Sequence, residues 1–97
     1  MAAFPSSPTP WGNQSSLGIT AATVVKSAPG VAVTAVVVVA GSTAGAVYDA
    51  VATTGNSTAN QVGVLPTTAG TFELNALCAN GIVVAPGTGQ TVALFFQ

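Results

Sequence analysis

Residues 31–41 read VAVTAVVVVAG, the most apolar run in the chain. A membrane span needs about 20 consecutive apolar residues. This run is far shorter, carries Thr34, and ends at Gly41-Ser42-Thr43. Its side chains are mostly β-branched, which stiffens χ1 and favours a strand over a helix. Just upstream, Pro29 has no N–H to give a ladder and Gly30 permits a turn. The run therefore reads as a buried strand. Its Val36–Val39 portion has no polar face, and a strand apolar on both sides is expected to be covered on both. In a chain of 97 residues the second cover has to come from an arm, a long loop or another subunit. The run thus points to oligomerisation, with aggregation as the competing fate of a β-prone, uncharged, Pro-free segment.

Working outward from this run, short apolar segments alternate with turn formers. Candidate strands are 19–28 (ITAATVVKSA), 31–40, 45–51 (GAVYDAV), 60–66 (NQVGVLP), 70–76 (GTFELNA), 81–85 (GIVVA) and 90–96 (QTVALFF). The separators are rich in Gly, Pro, Asn, Ser and Thr. Strands at intervals of about ten residues are the pattern of a β-sandwich or barrel. No segment pairs a helical period with helix caps. The fold class expected is all-β, a small jelly-roll-like sandwich of about seven strands spanning residues 20–97. Alternation orients some strands. Phe72 and Leu74 face a core with Glu73 and Asn75 outward; Val92, Leu94 and Phe96 share one face; Asp49 shares a face with Val47 and Val51.

Residues 1–19 differ in kind. Pro5, Pro8 and Pro10 lie among Ser and Thr, with Phe4 and Trp11 as the large side chains. Proline fixes φ and biases its predecessor to extended conformations, so this segment reads as an arm with polyproline II character. Two aromatics on such an arm are candidate anchors for a neighbouring surface. The segment has neither the basic start nor the long apolar stretch of a secretory signal.

Charge is the strongest anomaly. Charged residues make up 3% of the chain, namely Lys26, Asp49 and Glu73, against roughly 25% in typical domains. A net charge of −1 leaves no basic footprint for nucleic acid or for an anionic membrane surface. Soluble monomers usually carry mixed surface charge. A surface of Thr, Ser, Asn and Gln is less costly to desolvate and suits a protein packed against others. Lys26, near a strand end, reads as a guard against unwanted edge pairing.

Catalytic chemistry is poorly supplied. There is no His and a single Cys, so His-based general bases, triads and Cys/His metal sites are not expected. Cys78, among apolar neighbours, reads as a small buried hydrophobe. Nothing places Asp49 beside Glu73 as a carboxylate pair. GTGQ (87–90) lacks the lysine of a phosphate loop and reads as a hairpin turn. No enzyme activity, cofactor or metal is expected. The loop ATTGNSTANQ (52–61) is the best candidate for an exposed tip.

The succession of a Val-rich strand, GSTAGAVYDA, NQVGVLPTTAGTFELN and CANGIVVAPGTGQTVALFF resembles small β-rich structural proteins of tailed bacteriophages, over roughly residues 20–97. These include capsid decoration (cement) proteins and head- or tail-fibre modules. The resemblance implies a compact sandwich on the virion surface, assembling as homodimers or homotrimers on a major capsid protein, with arms that tie neighbours together. The alternative is a fibre or spike module that binds host glycans. Interface residues expected on this reading are Phe4 and Trp11 in the arm, Val37 and Val39 in the Val-rich strand, and Phe95 and Phe96 at the end. Aromatic anchors of this kind dominate interface energetics.

Overall fold

The computed structural model describes residues 14–97. They form eight strands: β1 (Gln14–Ile19), β2 (Thr23–Lys26), β3 (Gly30–Val39), β4 (Gly45–Asp49), β5 (Gln61–Leu65), β6 (Gly70–Cys78), β7 (Ile82–Ala85) and β8 (Thr91–Phe96). One sheet has the order β1-β8-β3-β6, the other β2-β7-β4-β5. All neighbours run antiparallel. Among the described residues, no helix is long and apolar enough to cross a membrane.

The all-β sandwich agrees with the sequence, but it has eight strands where about seven are expected. Residues 14–19, read as the end of the arm, form β1 and pair with β8. The single strand expected over 19–28 is broken: β1 ends at Ile19, the chain changes sheets, and β2 starts at Thr23. The remainder of the arm, with Phe4 and Trp11, lies outside the described residues.

The pairing follows one rule. Strands pair 1 with 8, 2 with 7, 3 with 6 and 4 with 5, and the partners stay matched along the chain. Gln14 faces Phe96, Thr23 faces Val84, Gly30 faces Cys78 and Gly45 faces Leu65. The chain is a doubled ribbon whose fold-back is the loop between β4 and β5. The ribbon is then rolled so that β8 lies against β3 and β7 against β4, which is jelly-roll connectivity. The Gly87–Gln90 segment is indeed a turn, closed by the Gln90 N–H donating to the Gly87 carbonyl at 3.1 Å. Gly89 supplies the left-handed φ of 81° that it needs. It is not a hairpin, however, because β7 and β8 belong to different sheets.

The core lies between the sheets. Ile19, Ala32, Ala35, Val37, Val92, Leu94 and Phe96 from one side meet Val47, Leu65, Ile82 and Val84 from the other. Each buried Val or Leu contributes about 1.5–3 kcal/mol, and small Ala side chains let the sheets approach closely. β6 shows the expected alternation, with Phe72, Leu74 and Ala76 packed on the core and Glu73 and Asn75 exposed. Two expected interface residues are corrected here. Val37 and Phe96 are in the core, at 1% and 7% exposure. The all-apolar run leaves strand parity open, and pairing decides it: Val37 lies opposite Val92, and Phe96 opposite Ala32.

One end of the sandwich is fixed by Gln90, which is 1% exposed. Its Oε1 accepts the Gly87 N–H at 2.7 Å, and its Nε2 donates to the carbonyls of Leu65 at 3.3 Å and Pro66 at 2.7 Å. The Thr43 hydroxyl oxygen accepts the Thr88 N–H at 2.8 Å. The backbones of 41–45 and 86–90 approach so closely that a side chain at Gly87 would collide with the Thr43 carbonyl.

Candidate protein interface on the outer sheet face

Strand pairing defines which residues share the outer face of the β1-β8-β3-β6 sheet. Glu73, Thr34, Phe95 and Ser15 form one cross-strand row. Thr71, Val36 and Ala93 form the next. Leu77 lies opposite Val31, which exchanges two 2.9 Å backbone hydrogen bonds with Gln97. Val38 continues the face along β3, and Leu17 lies two residues from Ser15 in β1.

This face carries open apolar side chains among Glu73, Thr34, Thr71 and Ser15. Leu77 is 77% exposed, Leu17 68% and Val38 57%. Phe95, Val36 and Val31 are half-buried. Glu73 is the charged side chain on it among the described residues. Here the double-sided apolar character of β3 becomes concrete: Ala35 and Val37 meet the core, while Val36 and Val38 face out. The second cover expected from the sequence is not supplied by residues 14–97.

The opposite outer face differs. Val83 sits between Val24 and Tyr48 in a cross-strand row and has no exposed surface, although it lies outside the core cluster. Val64 is the large apolar side chain left open there, at 53%. Lys26 ends β2, an edge strand, as an edge guard should.

Of the expected interface residues, the structure places Val39 at the exposed end of β3, at 49%, and Phe95 on the outer face. Val37 and Phe96 point the other way. The sequence reading missed Val36, Val38, Leu17 and Leu77. Leu77 carried a legible signal, since it continues the outward parity of Glu73 and Asn75.

The chain's carboxylates are far apart in role. Glu73 is solvent-facing on β6. Asp49 ends β4 and accepts three backbone N–H groups: Asn80 at 2.8 Å and Gly81 at 3.3 Å through Oδ1, and Ala79 at 3.1 Å through Oδ2. The Asn80 N–H in particular holds the Asp49 carboxyl below its ordinary range, against a smaller opposing effect of burial. The sequence reads Asp49 as a solvated charge. It is a bracket between β4 and the β6–β7 connection. Burial pushes the Cys78 thiol up, and the Asp49 charge adds to this; a thiol so placed stays protonated and inert. Among the described residues, no group of three or more His, Cys, Asp or Glu side chains is placed to hold a metal.

The β4–β5 tip is ordered by amides. Asn60 Nδ2 donates to Asn56 Oδ1 at 2.8 Å and Asn60 Oδ1 accepts the Ser57 N–H at 2.9 Å, while residues 51–55 and 57–59 remain exposed. Comparison of the chain with family models, curated proteins and solved structures finds no match.

Proposed function

We propose that this chain is a structural assembly subunit, a virion decoration or cement protein that binds other copies of itself and the major capsid protein. The carrying observation is the set of exposed and half-buried apolar side chains, Leu77, Val31, Val36, Val38, Phe95 and Leu17, on one outer sheet face that also carries Thr34, Thr71, Glu73 and Ser15. Exposed apolar patches rimmed by polar groups mark protein contact sites, and this one lies on a rigid sheet rather than a loop. The near absence of charge lowers the cost of desolvating it. The jelly-roll connectivity supports the reading at the level of analogy alone, because the same architecture serves viral shells and lectins. Binding to an assembled lattice would stabilise that lattice by mass action.

The test is a Val38→Asp/Leu77→Asp double variant, examined by sedimentation and by its copy number in purified particles. The reading predicts a folded monomer that no longer joins the assembly. Undiminished association and occupancy would overturn it.

A further inference from the structure

Asn80 is one of five asparagines in the chain and the one followed by glycine. Glycine at 81 is imposed by packing. It is buried, and a side chain there would fall on the carbonyl oxygens of Ala50 and Lys26. Packing therefore fixes the glycine of an Asn-Gly pair, the dipeptide most prone to asparagine deamidation, since glycine offers no side chain to hinder attack by its own nitrogen. Asn80 itself is exposed to water.

We infer that Asn80-Gly81 is a latent deamidation site that the Asp49 bracket holds inert in the folded chain. The reaction starts when the Gly81 backbone nitrogen loses its proton to solvent base and attacks the Asn80 side-chain carbonyl carbon. A C–N bond forms, and the side-chain nitrogen takes a proton from water and leaves as ammonia. Water then opens the cyclic imide at either carbonyl, giving aspartate or isoaspartate; the net change consumes one water and releases one ammonia. Folding obstructs the first step. The Gly81 N–H is hydrogen-bonded to Asp49 Oδ1 at 3.3 Å, next to a negative charge that opposes loss of its proton. The Asn80 N–H on the same oxygen, the Ala79 N–H on Oδ2 and the Gly81 carbonyl, which accepts the Ala50 N–H at 3.2 Å, resist the backbone rotation that ring closure needs.

The product undoes its protection. A carboxylate at position 80 stands beside Asp49, and like charges repel. Isoaspartate also lengthens the backbone inside the bracket. Once formed, either product loosens the tie between β4 and the β6–β7 connection, so the site works as an ageing switch in one direction.

The experiment is peptide mapping of the Asn80 peptide by its amide-to-acid mass shift, over weeks at neutral pH. Three samples are compared: native protein, protein unfolded in guanidinium chloride, and the Asp49→Ala variant. Native protein should deamidate at least about tenfold more slowly than unfolded chain, because reaction waits on local opening. Asp49→Ala should move towards the unfolded rate while its circular dichroism stays native. Equal native and unfolded rates would overturn the inference, as would a folded Asp49→Ala with the wild-type rate. If Asp49→Ala does not fold, hydrogen exchange at the wild-type Gly81 amide decides: slow exchange supports the bracket, and exchange at the rate of a free amide overturns it.

Discussion

The Asp49 carboxylate accepts the Asn80 N–H at 2.8 Å, and this contact joins the end of a strand in one sheet to the bend that leaves the other. Its charge is fixed in place by three N–H donors, so protonation weakens it. The folded-state pKa lies below the ordinary 3.8. The resulting stability is present above the unfolded pKa and is lost as pH falls through that value towards the folded one. Asp49→Ala should lower the Tm at pH 7, and its deficit against wild type should shrink below about pH 4. Thermal unfolding by circular dichroism at both pH values checks this.

Phe95 and Phe96 are adjacent and face opposite ways. Phe96→Ala removes a core ring and should cost about 3–5 kcal/mol in urea unfolding. Phe95→Ala should cost well under that and act mainly on association, read as a change in sedimentation. Equal effects of the two substitutions on both measurements would refute the assignment of faces.

Gln90→Ala removes the side-chain partner of the buried Leu65 carbonyl and of the part-buried Pro66 carbonyl and Gly87 N–H. Such a loss costs about 1–3 kcal/mol for each group left unsatisfied. The expected result is a lower urea midpoint with an unchanged m value.

Cys78 has no exposed surface. A thiol reagent should label it only as the protein unfolds, so the labelling curve should overlay the urea denaturation curve. Prompt labelling of native protein would contradict the placement of Cys78 in the core.

Much of the sandwich was legible because several strands declare their inward face. Phe72 and Leu74 alternate with Glu73 and Asn75, and pairing with β3 keeps that parity. β1 was not legible: QSSLGI is polar and short, and what holds it is β8, about eighty positions along the chain. Parity in β3 was equally hidden, since a run of four valines reads the same from either side. Asn75 shows a different limit. Its left-handed φ of 48° accompanies the register shift opposite Ala32–Thr34, and bulges depend on the partner strand as much as on the residue. Asp49 and Gln90 were misjudged or missed for one reason: a polar side chain near valines looks solvated until its backbone partners are in view.

The doubled ribbon has a last consequence, for cutting rather than folding. Each half, 14–49 and 61–96, finds nearly all of its pairing in the other half. The tip between them serves as a tether that keeps two complementary fragments at high mutual concentration. A nick at Gly55, which is exposed and has open space around it, should leave the two pieces clasped as one particle. After separation in denaturant, neither piece should fold alone, and mixing them should restore the native spectrum at a rate that depends on concentration. The molecule is in effect a heterodimer of its own halves.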